Sequence, residues 1–214
     1  RALNVAVVAV PLHAEQDFAL DVARIKEAVN ERTRVVFINT PGNPTGSIVP
    51  SEELADLAAF CRERNVWLLC EEVYSMFCYD GRHASARASA EHIDNIVMVD
   101  GLSKSHAMSG WRIGWAVAPP SLIEHLGNFA TATLFGSPQF IQDASAFALE
   151  NDQVYVEEMR LEYRARRDFL LRRLGKIESL RCITPKAGMF VMCDVTATGL
   201  DGADFAELLL EEQG

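Results

Sequence analysis

The sequence has 214 residues, of which 49% are hydrophobic, and its mean hydropathy of +0.04 indicates a globular protein with ample core. Its formal net charge of −10 argues against nucleic acid or an anionic membrane as a partner. No apolar run approaches the ~20 residues that a membrane helix needs. The five cysteines are scattered and predict free thiols in a reducing, cytoplasmic compartment: Cys61, Cys70, Cys78, Cys182 and Cys193.

Both ends of the sequence suggest a piece of a longer protein. The chain has no initiator methionine, and VAVVAV at residues 5–10 is already typical of a buried strand. The last residues, FAELLLEEQG, have a helix pattern with nothing after them to pack against. We therefore expect sequence beyond both ends.

Strand and helix patterns alternate through the first 118 residues. Helices are predicted at residues 21–31 and 51–64, the second with Ser51 as its N-cap. The strands are predicted at residues 5–10, 35–39, 66–70, 96–99 and 112–118. Because these strands are apolar on both faces, the pattern predicts an α/β fold whose mostly parallel central sheet has helices on both faces.

After Pro119 the pattern becomes mainly helical. Helices are predicted at residues 121–134, 139–150, 152–174 and 204–212, and short strands at 181–184 and 189–195. The arginines of residues 152–174 are interleaved with acids, which favours a solvated, ion-paired helix face over a phosphate or nucleic-acid patch. Residues 1–150 are predicted to form the core of a large domain, 151–174 a connecting helix, and 175–214 the start of a smaller α/β domain.

Four strand ends carry unusual residues, and sites in α/β sheets form where strands end. They are NTPGNPTG at residues 39–46, CEEVY at 70–74, SKS at 103–105 followed by Arg112, and the glycine of Gly114-Trp115. Each has an ordinary structural alternative: a Pro/Gly turn, solvent-facing acids, a snorkelling lysine with a structural arginine, and a packed strand.

Together these side chains match the chemistry of one cofactor. A lysine amine forms a Schiff base with an aldehyde, and an arginine fork suits a phosphate dianion. A carboxylate keeps a pyridine nitrogen protonated, while tyrosine and asparagine can hydrogen-bond a ring hydroxyl. An aldehyde, a phosphate, a pyridine and a phenol-like hydroxyl together describe pyridoxal 5′-phosphate (PLP).

The motifs NTPGNPTG, EEVY and SKSHAMSGWRIGW resemble, in order and spacing, those of class I/II aminotransferases, which are fold-type I PLP-dependent enzymes. The resemblance covers essentially the whole chain. It implies that Lys104 is the catalytic Schiff-base lysine, that Arg112 binds the cofactor phosphate and that Ser103 assists there. It also implies that Asn43 and Tyr74 bond the ring hydroxyl O3′.

The resemblance places Glu71 against the pyridine nitrogen, where the family usually has aspartate. Gly101 is a second departure, because many members have a phosphate-binding serine there. The resemblance also implies that the cofactor-stacking aromatic ring and the arginine for the substrate carboxylate lie outside residues 1–214. Finally, it implies a homodimer with the active site at its interface.

The resemblance implies transfer of an amino group from an amino acid to a 2-oxo acid. A PLP-dependent β C–S lyase, and a non-catalytic PLP-binding module or inactive fragment, remain alternatives. GWRIGW favours the aminotransferase, and an upstream helix-turn-helix would favour a regulator. LFGSPQFIQDA at residues 134–144 is similar to arginine–pyruvate transaminases.

Overall fold

The computed structural model describes residues 5–214, and its centre is a four-stranded sheet in the order β1-β2-β3-β4. The strands are β1 (Val35–Asn39), β2 (Trp67–Glu71), β3 (Ile96–Gly101) and β4 (Gly114–Val117). β1, β2 and β3 are parallel, whereas β4 runs antiparallel to β3. The sheet is therefore mixed but mostly parallel, as the α/β pattern predicts.

Three helices pack on one face of this sheet: α1 (Val22–Ala28), α2 (Ser51–Glu63) and α3 (Ala86–Ser89). They share a core with the inward side chains of the first three strands, such as Leu54, Leu57, Val36, Leu68 and Ile96. The helices form where apolar residues recur at helical spacing, which lets one stripe of each helix face the sheet.

The predicted N-cap of α2 is wrong. The cap position is Pro50, and Ser51 is the first helical residue; its hydroxyl lies 3.2 Å from Glu52 Oε2. α1 instead has a side-chain cap, because Asp21 accepts a hydrogen bond from the Arg24 amide at 3.1 Å. Pro50 has the extended φ/ψ of an N-cap residue, so Ser51 lies within the helix and is not in the position from which a side chain caps it.

The strand predicted at residues 5–10 is also wrong, because this segment is coil and most of it is exposed. Val7, for example, is 89% exposed. An apolar run becomes a strand only when its backbone groups find a neighbour, and residues 5–10 have no strand partner in residues 5–214. The second face of β1 is similarly open, with Val35 and Phe37 about half exposed.

The helices after β3 are α4 (Leu102–Ser105), α5 (Pro120–Leu134), α6 (Gln139–Asn151) and α7 (Gln153–Leu174). A small second core joins α4 and α6 to the β3–β4 connection through Leu102, Met108 and Ala148, with Ile113 and Trp115 packed against it. Among residues 5–214, no helix is both long and apolar enough to cross a membrane.

Four of the six arginines of α7 are ion-paired, in agreement with the predicted ion-paired face: Arg160, Arg164, Arg166 and Arg167. Arg160 and Arg166 pair within the helix to Glu157 and Glu162, at 2.6 and 2.8 Å. Other contacts reach out of the helix: the Arg160 side chain donates to the Cys78 carbonyl at 3.0 Å. These contacts tie α7 to the segment that follows β2.

The last elements are β5 (Arg181–Ile183), β6 (Met192–Asp194) and α8 (Gly202–Gln213). β5 and β6 form a separate antiparallel pair, and the strands are shorter than predicted. The connection between them, residues 184–191, lies against the loop that follows β1. There the amide groups of Lys186 and Ala187 both donate to the Gly46 carbonyl, at 3.0 and 3.1 Å.

Candidate active site

The sheet brings the predicted motifs to one edge. Asn39 and Glu71 are paired residues at the carboxyl ends of the parallel strands β1 and β2. β3 ends at the same edge, and Lys104 follows it directly in α4. The sequence prediction placed Arg112 within a strand, but β4 begins only at Gly114. Because β4 is antiparallel, Arg112 precedes its amino end and so reaches the same edge.

The loop after β1 is held by its own polar groups. The Asn39 side chain accepts from the Asn43 amide at 2.6 Å, and the Gly46 amide donates to the Gly42 carbonyl at 2.8 Å. The buried Thr40 donates its amide to the Glu71 carbonyl at 3.0 Å. The loop that carries Asn43 is therefore fixed against the end of β2.

Asn43 and Tyr74 lie together. The Asn43 Nδ2 atom donates to the Tyr74 hydroxyl at 3.4 Å, which leaves the phenol proton available for another acceptor. Burial, and then the nearby Glu71 carboxylate, raise the pKa of the buried Tyr74 above its usual value, so Tyr74 remains a donor at neutral pH.

The two acids of CEEVY have different surroundings. Glu72 is 3% exposed, and its carboxylate lies 3.0 Å from His83 Nε2. It also accepts from the Ser85 hydroxyl and the Ala86 amide, at 3.0 and 3.1 Å. Glu71 is partly exposed, and within residues 5–214 its carboxylate has no ion-pair or hydrogen-bond partner. Glu72 is committed to the fold, while Glu71 is available to a ligand.

Lys104 and Arg112 are likewise available. Lys104 and its neighbour Ser103 are partly buried in α4. Arg112 is exposed, has a left-handed backbone (φ 55°) and donates to the Ser109 carbonyl at 2.7 Å. No carboxylate in the described part of the chain pairs with either cation. The edge thus carries two cations and one carboxylate without local counter-ions.

Gly101 stands at a close approach of two strands. A Cβ at this position would lie 2.8 Å from the Ile113 carbonyl oxygen, and one at its partner Gly114 would lie 2.9 Å from the Asp100 carbonyl oxygen. The backbone of Gly101 is extended, so the requirement is for space and not for a special φ. A serine at position 101 would therefore require the two strands to move apart.

Sequence patterns alone missed three features around this edge: the buried Glu72–His83 contact, the partly buried carboxyl of Asp100, and the contact of residues 184–191 with Gly46. The two adjacent glutamates of CEEVY are a sequence signal for the Glu72–His83 contact, because two acids at a buried strand end require different partners. No local sequence pattern indicates the contact of residues 184–191 with Gly46, since it joins segments more than 130 residues apart.

The mostly parallel sheet, and the edge at which these residues meet, are the arrangement of a fold-type I α/β protein. The chain belongs to the aminotransferase class I and II family, whose model matches residues 1–214. Members of this family use PLP.

The relatives agree with this assignment. The chain is 40% identical over 213 residues to an arginine–pyruvate transaminase, AruH, of Pseudomonas aeruginosa, covering 100% of this chain and 54% of that protein. It is 36% identical to an aspartate aminotransferase of Pyrococcus abyssi, covering 96% and 53%. An aspartate aminotransferase structure from Thermus thermophilus superimposes with a TM-score of 0.91 at 33% identity, covering 96% and 57%. The chain therefore spans about half the length of the relatives it matches.

Proposed function

We propose that the protein carrying this chain transfers an amino group from an amino acid to a 2-oxo acid with PLP as its cofactor. The observation that supports this most is the set of charges without counter-ions at one sheet edge. Lys104, Arg112 and Glu71 match the aldehyde, the phosphate and the pyridine nitrogen of PLP in charge and chemistry. Lys104 and Glu71 are partly buried, where a charge without a partner is costly unless a ligand matches it.

The donor set fits the cofactor. When bound, PLP supplies an aldehyde for an amine and a pyridinium ring that accepts electrons. Arg112 would hold the phosphate with its guanidinium fork, with Ser103 as an additional donor. Asn43 and Tyr74 would hold the ring hydroxyl, and Glu71 would keep the ring nitrogen protonated.

Lys104 has two proposed tasks. Its Nζ atom would hold the aldehyde of the cofactor and, when free of it, would be the base that removes and returns the substrate proton. The Lys104 side chain is partly buried in α4. The other three lysines lie elsewhere: Lys26 pairs with Asp56, Lys176 follows α7 and Lys186 lies between β5 and β6.

We propose arginine as the amino donor to test first, because the AruH relative is an arginine–pyruvate transaminase. Relatives at 35–36% identity are named for aromatic amino acids and aspartate, so these donors belong in the same comparison.

We also propose the following organisation. Residues 1–150 belong to the large PLP-binding domain, 151–174 to a connecting helix and 175–214 to the small domain. A homodimer is supported by exposed aromatic side chains on α5 and α6, among them Phe129 and Phe140. The five free cysteines support a cytoplasmic location.

The test uses the full-length polypeptide that carries this chain. Purified protein is incubated with PLP, reduced with borohydride and digested, and turnover is measured with arginine, aspartate and phenylalanine as donors and pyruvate as acceptor. The cofactor adduct should map to Lys104, and Lys104→Ala should lose both adduct and turnover while Lys176→Ala keeps both. An adduct on another lysine, or turnover in Lys104→Ala, would overturn the proposal.

A further inference from the structure

The strands β5 and β6 hold two cysteines directly opposite each other. Cys182 and Cys193 are register partners in this antiparallel pair, and their Sγ atoms are 3.0 Å apart. Both residues are partly exposed and both thiols are free. They are eleven residues apart in the sequence and form no motif, so only the strand register reveals the pair.

The backbone geometry already suits a disulfide. Directly opposed residues of antiparallel strands have Cα atoms about 4.5–5.5 Å apart, which lies within the range of about 4.4–6.8 Å that disulfides require. Because the two Sγ atoms are in contact, bond formation needs only small side-chain rotations. The other three cysteines, Cys61, Cys70 and Cys78, are buried, and none of them contacts another thiol within residues 5–214.

The segment between the two cysteines contacts the candidate site. The amides of Lys186 and Ala187 donate to the Gly46 carbonyl, at the end of the loop that carries Asn43. The Gly188 amide donates to the Phe77 carbonyl at 3.1 Å, close after Tyr74 in the chain. The two cysteines therefore lie on either side of residues 184–191. The middle of that segment contacts Gly46, in the loop that carries Asn43, and Phe77, which follows Tyr74 in the chain.

We propose that Cys182 and Cys193 are a redox modification site, which a small-molecule disulfide such as oxidised glutathione converts to a reversible cross-strand disulfide. Closing this bond restricts residues 184–191 to the position in which they contact Gly46 and Phe77. The bond does not depend on the proposed aminotransferase activity.

The exchange takes two steps. One thiol of the pair loses its proton, attacks one sulfur of glutathione disulfide and releases one glutathione thiolate. The second thiol then loses its proton and attacks the protein sulfur of the mixed disulfide, which releases the second glutathione. Two protein thiols are oxidised, one glutathione disulfide is reduced to two thiols, and the two protein protons go to the released thiolates.

Burial also affects the reactivity of the thiols. Burial, and then the hydrogen bond with Cys182, raise the pKa of Cys193 to about 11, so the Cys193 thiol keeps its proton at neutral pH until it reacts. Burial raises the pKa of Cys61 and Cys78 to about 11 as well, and within residues 5–214 neither thiol is hydrogen-bonded to another thiol. These two cysteines serve as internal controls that should stay reduced.

The test equilibrates the full-length polypeptide with graded ratios of reduced to oxidised glutathione, blocks free thiols with iodoacetamide and digests with trypsin. Cleavage after Arg181 and Lys186 separates the cysteines, because Cys182 lies in CITPK and Cys193 in a peptide beginning at Ala187. We expect these two peptides to become linked, with Cys61 and Cys78 alkylated. Two unlinked alkylated peptides in oxidised glutathione alone, or separate glutathione adducts on each, would overturn the proposal.

Single variants and amide exchange complete the test. Cys182→Ser and Cys193→Ser should each take up at most one glutathione and give no linked peptides. Hydrogen exchange at Lys186, Ala187 and Gly188 should be at least about tenfold slower in the oxidised than in the reduced protein, because the bond removes open conformations of residues 184–191. Equal exchange in both states would show that the disulfide does not restrict this segment.

Discussion

Glu71 and Glu72 are adjacent in sequence but differ in what surrounds their carboxylates. Glu72 is buried against His83, Ser85 and the Ala86 amide, whereas Glu71 is partly exposed beside Tyr74. Since neighbouring residues of a strand face opposite sides, one acid can serve the fold and the other a ligand. This difference leads to opposite expectations for the two alanine variants.

Glu72→Ala should lower the free energy of unfolding by about 3 kcal/mol, because it leaves the Ser85 hydroxyl and the Ala86 amide without their acceptor and removes the carboxylate that faces His83. Glu71→Ala should change stability by less than about 1 kcal/mol but lower turnover by two or more orders of magnitude, as loss of a partner for the ring nitrogen implies. Urea denaturation measures the free energy of unfolding of both variants, and steady-state kinetics measure their turnover. Similar stability losses in the two variants would contradict the assignment.

Arg112→Lys should weaken PLP retention while changing the turnover of the loaded enzyme much less. A lysine ammonium is a point charge and cannot reproduce the two parallel hydrogen bonds of a guanidinium fork. Reconstitution of dialysed protein with graded PLP should show an apparent dissociation constant at least about tenfold higher. Arg166→Lys, on the exposed face of α7, is the matched control; an unchanged PLP affinity in Arg112→Lys would move the phosphate site elsewhere.

Asp100 should make stability depend on pH. Burial raises the pKa of its carboxyl from 3.8 to about 6, against the opposing hydrogen bonds from the Gly101 amide and the Ser75 hydroxyl. The folded state therefore binds this proton more tightly than the unfolded state. Its stabilising contribution is complete below about pH 4 and is lost as the pH rises through about 6.

Asp100→Asn should remove that dependence. Relative to the variant, the natural chain should lose about 1–3 kcal/mol of unfolding free energy between pH 4 and pH 7, after allowance for partial solvent exposure. Chemical denaturation of both proteins at several pH values measures the difference. A constant difference across this range would show that Asp100 titrates alike in the folded and unfolded chains.

At the scale of elements, β3 and β4 need two glycines facing each other. Gly101→Ser should therefore destabilise the protein by about 1–3 kcal/mol, because the new Cβ would lie 2.8 Å from the Ile113 carbonyl oxygen. Gly110→Ser is the control, since a Cβ at Gly110 meets nothing within 4 Å. Thermal unfolding measures the stability of both variants. A Gly101→Ser protein as stable as the Gly110→Ser control would mean that β4 moves away from β3 with no loss of stability.

How far the sequence predicts the fold depends on whether an element's partner is close in sequence. Strands β1 to β3 and helices α1 and α2 follow from apolar periodicity, because each packs on elements adjacent in the chain. The apolar run at residues 5–10 failed as a strand, since pairing and not composition makes a strand. The antiparallel direction of β4 was also missed, because strand direction depends on the short connection through residues 102–113 and not on strand composition.

The sequence predicts which residues form the candidate site but not how they are arranged in space. Lys104, Arg112 and Asn43 were named from motifs and their family resemblance, and the sheet places them at one edge. Their roles toward a cofactor stay predictions. The separation of Glu71 from Glu72, and the pairing of Cys182 with Cys193, required the three-dimensional structure because they depend on which way side chains point and which strands are register partners.

At the scale of the whole molecule, α5 and α6 expose several phenylalanine side chains. Phe129, Phe140 and Phe147 are 64–68% exposed, and Phe135 between the helices is 93% exposed with a left-handed φ of 57°. Exposed aromatic groups of this number are typical of an interaction surface. We propose that a second copy of the chain covers these exposed side chains of α5 and α6.

Replacing Phe129 and Phe140 together by serine should therefore weaken self-association of the full-length polypeptide. Burial of each phenylalanine contributes about 1.5–3 kcal/mol, so losing two from each protomer should raise the dimer dissociation constant at least about a hundredfold. Phe169→Ser is the control, because Phe169 is 58% exposed but lies on α7, outside this surface. Analytical ultracentrifugation over a concentration series measures the constants. If the double variant and the control dissociate at the same concentration, the surface of α5 and α6 is not where the two copies meet.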